Sequence, residues 1–236
     1  MPLYFQSVLE ASPLRSGLLL LPFIVTGAFG GIACGFIIHR TGRFREIIWV
    51  GTLLLTIGFG LFISFDAYTT TAKAVGFMIV AGLGSGMLFE APLIAIQSQV
   101  EQQNVASATA TLSFIRSIAL SISTIIGGTI FQNSMNNRAS FLRAAGLPDE
   151  LLKQLDGDSA MANVFLPGTL DNPAWELATK QAFAYAMRNM WITYTVFAFL
   201  SFVASIFIEA AHLGTEHVET VTGLRKEKKP LGTDSS

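Results

Sequence analysis

Residues 16–38, 47–65, 74–98, 106–132 and 189–208 are five apolar stretches, each long enough to cross a bilayer as a helix. A hydrocarbon core about 30 Å thick needs about 20 apolar residues in a helix rising 1.5 Å per residue. The first, second and fifth stretches contain no Asp, Glu, Lys or Arg; the third holds only Glu90 and the fourth only Arg116. Such helices could instead be buried in a soluble protein, but nothing here could cover five of them. Hydrophobic residues are 51% of the chain and charged residues 13%, against about 25% charged in an ordinary globular domain. The fold expected is therefore all-α, a polytopic membrane protein with five transmembrane helices and the lipid bilayer as its first partner. With 15 basic and 16 acidic residues the net charge is −1, so nothing in the charge points to nucleic acid.

The basic residues of the short connections orient the bundle. The turn at 39–46 carries Arg40, Arg43 and Arg45, the connection at 66–73 only Lys73, and the one at 99–105 no basic residue. Arginine-rich short loops stay in the cytoplasm, which puts the N-terminus outside. The run LRKEKK after the fifth stretch fits a cytoplasmic, disordered tail at 212–236. Residues 133–188 then form a long outer segment with five basic and six acidic residues, near the length at which loop charge ceases to set topology. Within it, ASFLRAAGLPDELLKQL reads as a short helix, a Gly-Leu-Pro break and a second helix with Pro148 near its first turn. A further helix starts at Asp171 or Asn172 with Pro173 in its first position, pairs Glu176 with Lys180 at i, i+4, and runs into the fifth stretch. Its Trp175, Phe183, Tyr185 and Trp191 are residue types that settle at a membrane interface, so it is expected to lie on the outer leaflet.

No nucleophile elbow, phosphate loop or paired-cysteine motif is present, so no enzyme, cofactor or catalytic residue is expected. The histidines His39, His212 and His217 make no metal-ligand set, and the lone Cys34 can form no internal disulfide. The intramembrane charges are the sharper signal, because an ionisable side chain at that depth faces a bundle interior or a wet cavity. Counting inward from the cytoplasmic ends, Glu90 and Arg116 reach depths that agree to within about 3 Å, and their helices are consecutive and antiparallel. A Glu90–Arg116 pair is expected. It is either a protonatable carboxylate tuned by a cation or a structural pair that fixes packing. Gly82, Gly86 and Glu90 recur every four residues and share a helix face, where glycine permits close approach of a neighbour. Pro92 strains the same helix and marks a candidate hinge. Small residues repeat likewise at Gly27, Gly31 and Gly35 and at Ser113, Ser117 and Ser121, a pattern that ordinary membrane packing also explains.

Taken together, these residues resemble the major facilitator superfamily. GFIIHRTGRFR is similar to the superfamily's loop signature through Gly35, Arg40, Gly42, Arg43 and Arg45, with His39 where an Asp is usual and Phe44 where a basic residue is usual. Gly42 permits the tight turn, and arginines at a helix C-terminus offset its dipole. In the family this turn latches the cytoplasmic gate through its Asp; His39 in that place implies a latch that is lost or pH-sensitive. GLGSGMLFEAPLIAIQ followed by SATATLSFIRSIALSISTIIGGTIFQN resembles the C-terminal half of fungal drug:proton antiporters of the fourteen-helix branch, which export drugs and toxins. Arg116, Gly127 and Gly128 match that pattern; Glu90 stands where Gln is typical. The start, PLYFQSVLEASPLRSGLLLLP, resembles the end of a preceding helix and an outer loop (1–15) leading into the bundle at 16–211.

The resemblance implies proton-coupled export of small amphipathic molecules by a full-length form, with a small-molecule substrate and the proton as partners. It also implies a missing N-terminal bundle, so the chain is expected to be a fragment or a truncated gene model. The plasma membrane is the expected location, with the vacuolar membrane as the alternative. The competing function is a five-span subunit or regulator that does not itself transport. Specificity residues in such carriers are dispersed along cavity-facing stripes, so the substrate has no local signature.

Overall fold

The computed structural model describes residues 1–208; His212, His217 and the LRKEKK run lie outside the described residues. It is built of helices: α1 (Pro2–Ser7), α2 (Pro13–Thr41), α3 (Arg45–Phe62), α4 (Thr71–Ser98), α5 (Val105–Asn137), α6 (Ala139–Ala144), α7 (Asp149–Gln154), α8 (Gly157–Ala160) and α9 (Pro173–Ile206), with 3-10 turns at Gln102–Asn104 and Leu166–Thr169. Five of these are long and apolar enough to cross a membrane, namely α2, α3, α4, α9 and the stretch that contains α5.

Local chemistry sets the helix ends. Ser12 caps α2 by accepting from the Arg15 N–H, and Pro13 follows in the first position. Thr70 does the same for α4 through the Lys73 N–H. α2 stops where Gly42 enters the left-handed region at φ 66°, its N–H returning to the Ile38 carbonyl at 2.8 Å. Asn172 is the cap of α9, accepting from the Ala174 N–H, so the choice between Asp171 and Asn172 falls to the residue beside Pro173. The break between α6 and α7 is Gly146, at φ +84°, followed by Leu147 and Pro148.

α4 lies between α2 and α3; α3 also packs on α9, and α9 on α5, while α5 touches α4 only lightly. Glycine brings α4 this close to its neighbours. A Cβ on Gly84 would stand 2.6 Å from the Leu55 nitrogen, and one on Gly58 2.6 Å from Ala81 Cα. Without glycine at these crossings α3 and α4 could not approach to backbone contact.

The main core sits at the end of the bundle away from the arginine turn, where α1 and residues 133–172 close over α3, α4, α5 and α9. Trp191 and Phe183 are corrections to the expected interfacial belt: they are 3% and 0% exposed. Trp191 meets Tyr4, Phe62 and Phe65 at centroid distances of 5.6, 6.0 and 5.3 Å, and Phe183 meets Phe131 at 5.9 Å. Such aromatic pairs add about 0.5–1.5 kcal/mol each beyond their buried area. Tyr4 donates to the Asp66 carbonyl at 2.7 Å, and burial pushes its phenol up to about 12, so it stays a donor. At the same end Lys180 pairs with both Glu10 and Glu176 at 2.6 Å, tying the α1–α2 connection to α9.

α9 is a single helix of 34 residues, so the expected surface helix and the fifth stretch are one continuous rod. A smaller core at the other end gathers Cys34, Ile38, Phe44, Ile47, Ile48 and Ala91.

Candidate functional site

The α2–α4 crossing is the tightest in the molecule and places the candidate site. A Cβ on Gly86 would collide with the Gly27 carbonyl, and one on Gly82 would stand 2.5 Å from the Phe23 carbonyl oxygen. From α2, a Cβ on Gly30 would lie 2.6 Å from the Leu83 oxygen and one on Gly31 3.3 Å from Glu90 Cγ. Gly82, Gly86 and Glu90 therefore do share a face, and that face is turned to α2. Gly35, one repeat further on, would meet nothing within 4 Å, so no close approach explains its small size.

Beside this crossing lies an open groove of about 390 Å³, lined by Phe23, Ile24 and Ile32 from α2, by Phe89 and Glu90 from α4, and by the glycines between them. Glu90 supplies its only ionisable group.

Arg116 lies level with Leu88 and Phe89, next to Glu90 in sequence, but on another face of α4. It donates to the carbonyl oxygens of Phe89 at 2.6 Å and Leu88 at 3.4 Å, and its guanidinium lies 4.7 Å from the Phe89 ring centre. Three ion pairs occur among the described residues, Arg143–Asp149, Lys180–Glu10 and Lys180–Glu176, so Glu90 and Arg116 are not joined. The reason is rotational: successive helix residues turn by about 100°, and Arg116 approaches on the Leu88–Phe89 side while Glu90 turns toward Gly31. Pro92 explains what Arg116 does instead. Proline has no N–H to give the carbonyl four residues earlier, which is that of Leu88, and the guanidinium caps the carbonyls that this break exposes.

Ser113, Ser117 and Ser121 of α5 do not form a packing seam among the described residues. All three are exposed, each hydroxyl donating to the carbonyl four residues earlier. Thr111 and Thr124 bond in the same way; at about 100° per residue Thr124 falls in line with the three serines, so α5 presents a line of exposed hydroxyls, while Thr111 lies on the opposite side. The Gly127–Gly128 pair has a partner that sequence reasoning missed. A Cβ on Gly127 would collide with the Tyr194 hydroxyl, which donates to the Ser123 carbonyl at 3.0 Å. The glycine pair was the available signal; what faced it depends on the tertiary fold.

The arginine turn is shorter than the sequence implied. His39 and Arg40 belong to the last turn of α2 and Arg45 opens α3, leaving Gly42, Arg43 and Phe44 as the connection. Phe44 plugs the smaller core at 3% exposure. The Arg40 and Arg45 guanidiniums lie 4.9 and 4.7 Å from the ring centres of Phe36 and Trp49, and the Trp49 indole donates to the Ser205 carbonyl at 2.7 Å. His39 is exposed, with no side-chain hydrogen bond among the described residues. Changing Arg40, Arg43 and Arg45 together to Gln is expected to loosen orientation, so that a glycosylation reporter in the turn becomes modified in part of the molecules. A reporter that stays unmodified would place the orienting signal elsewhere.

A family model described as Major Facilitator Superfamily matches residues 1–124. An MFS-type transporter of Metarhizium majus, ppz2, is 38% identical over 227 residues, covering 96% of this chain and 39% of that protein. The efflux pump dotC of Dothistroma septosporum is 35% identical over 97% of the chain and 39% of its own length. The efflux pump FUS6 of Gibberella fujikuroi is 31% identical over 100% of the chain and 42% of its own length. The chain thus spans about two fifths of the length of these curated relatives. No solved structure matches it.

Proposed function

We propose that this chain, which belongs to the major facilitator superfamily, is one helical bundle of a secondary transporter whose full form exports small amphipathic molecules against an inward flow of protons. The observation that carries this reading is its similarity, along nearly its whole length, to proteins described as efflux pumps. Alternating access needs two bundles rocking about a central site, and the relatives extend well beyond the matched region. The glycine-lined groove with Glu90 and the hydroxyl line of α5 are polar surface within apolar helices. Side chains of that kind belong against a wet cavity rather than lipid. In this reading the arginine turn faces the cytoplasm of a plasma-membrane exporter.

Genomic sequence upstream of Met1 tests the two-bundle reading first. An in-frame run coding for eight or nine further spans supports it, whereas stop codons and an adjacent promoter favour a five-span subunit. Export of a fluorescent amphipathic dye by cells stripped of their own pumps then tests transport, and export that persists after the proton gradient is collapsed overturns proton coupling. Glu90→Gln is expected to flatten the dependence of export on external pH, since Gln takes up no proton. An unchanged pH profile rules out coupling through Glu90.

A further inference from the structure

Two arginines share a patch of surface at the end of the bundle away from the arginine turn. The guanidinium of Arg138, where α5 ends, lies 3.8 Å from the ring centre of Tyr185 on α9 and 5.2 Å from that of Phe141. Its Nε is buried and has no hydrogen-bond partner, while the residue as a whole stays partly exposed. Arg188 is exposed and follows Tyr185 by three residues, which puts both on one face of α9. Just inward, a bond from Asn189 to Ser134 at 3.0 Å fixes α9 against α5. Neither arginine joins an ion pair among the described residues. Of the carboxylates at this end, Asp149 pairs with Arg143, and Glu10 and Glu176 pair with Lys180. Asp156 holds the Gly157 N–H, which also donates to Asn136. At about 100° per residue Asn136 lies about 200° round α5 from Arg138.

Height and surface identify what these cations meet. Arg188 immediately precedes the fifth apolar stretch, and Arg138 follows the fourth by six residues, about 9 Å along the helix. Helical side chains lean toward the N-terminus of their helix, which brings the Arg138 guanidinium back toward the bilayer. The headgroup layer on each side of the hydrocarbon is about 5–8 Å deep. From Arg188 the same face of α9 continues inward as Ile192, Val196, Phe199 and Val203, all exposed and three or four residues apart. It offers a track for apolar chains below a cationic head. A guanidinium already held against two rings has less freedom to lose when its terminal N–H groups fork onto a phosphate.

We infer that Arg138 and Arg188 bind the phosphate headgroup of an anionic bilayer phospholipid, whose acyl chains lie along the Ile192–Val203 face of α9. Tyr185 and Phe141 act through Arg138 and are positioning residues. The inference needs the spans to lie in a membrane and stands whether or not the chain transports.

A bimane fluorophore attached at Ile192→Cys reports the site, since Cys34 is buried and escapes labelling. The labelled full chain is placed in phosphatidylcholine vesicles, and quenching by dibrominated phosphatidylglycerol is compared with quenching by dibrominated phosphatidylcholine. The anionic lipid is expected to reach half-quenching at a mole fraction at least about tenfold lower, because each arginine near a membrane surface favours an anionic lipid by roughly fivefold. Arg138→Gln and Arg188→Gln are each expected to reduce that preference, and together to abolish it while quenching by phosphatidylcholine is unchanged. Tyr185→Leu is expected to reduce it with no change of charge. Arg143→Gln removes a cation from the same end and is expected to leave it intact. The inference is overturned if the two lipids quench alike or if the preference survives the double substitution. It is overturned equally if Arg143→Gln lowers the preference and Tyr185→Leu does not, the mark of general surface charge. Release of phosphatidylglycerol by excess inorganic phosphate at constant ionic strength would assign the arginines to a free anion and overturn it too.

Discussion

Gly86→Leu is expected to reduce the yield of folded, monodisperse protein in detergent by about tenfold or more, the largest effect of any single substitution considered. The Gly86 Cα faces the Gly27 carbonyl so closely that a Cβ would already overlap it, and a leucine adds three further carbons. Overpacking a side-chain core typically costs about 1–3 kcal/mol, and here the obstacle is backbone, which cannot change rotamer. α2 must withdraw along its length, releasing the contacts of Gly30 and Gly31 as well. Each 1.4 kcal/mol is about a factor of ten in the equilibrium. Gly35→Leu is the control, since nothing lies within 4 Å of its Cβ position. Equal yields for the two variants would mean that α2 and α4 do not cross at Gly86.

Arg116→Leu should loosen α5 from α4, and the size of the loss should depend on Pro92. Interhelical hydrogen bonds in membrane proteins contribute about 0.6–1.7 kcal/mol each; Arg116 makes two, to Phe89 and Leu88. Apart from them, the Gln97–Thr109 bond at 3.1 Å is the other side-chain tie between these helices among the described residues. Pro92→Ala returns an N–H for the Leu88 carbonyl and straightens the turn, so the guanidinium has less to cap. The two substitutions are therefore expected to be non-additive by about 1–2 kcal/mol, within the range seen for directly coupled residues. Unfolding of the four variants in a series of denaturing detergent measures this. Strict additivity would mean that Arg116 acts independently of the proline break. Arg116→Lys should fall between, because an ammonium can reach one carbonyl but lacks the planar fork and the stacking on Phe89.

Relative height along the helices was legible in the sequence; rotation about each helix axis was not. Apolar length set the five long helices, and counting residues inward placed Glu90 and Arg116 within a turn of each other. Their partners depended on which side of α4 each neighbour approached, a consequence of how Gly82, Gly84 and Gly86 seat α2 and α3 on different faces. Glycine periodicity was ambiguous for the same reason. The α2 repeat packs at Gly27 and Gly31 but not at Gly35, and the serine repeat of α5 is exposed. Aromatic residues misled in another way. Trp191 and Phe183 have the composition of an interfacial belt, yet α1 and the segment after α5 fold over them, a long-range event with no local pattern. The start of α9 was read more closely, to Asp171 or Asn172, because a cap acts on an N–H group two or three positions away, here that of Ala174.

The rod α9 has a mechanical consequence. After Pro173 it contains neither glycine nor proline, whereas α2 and α4 carry Pro22 and Pro92 and every other long helix contains glycine. Its first half is held by Lys180 near the start and by the Trp191 aromatics at mid-length, and its far end reaches the arginine turn through Ser205 and Trp49. At 1.5 Å per residue its length is about 50 Å. From Lys180 to its far tip is about 39 Å, so a stiff lever of that reach tilted by about 10° at Lys180 sweeps the tip by about 7 Å. The bundle thus has members interrupted by proline or glycine at its groove and one unbroken member that ties its two ends together.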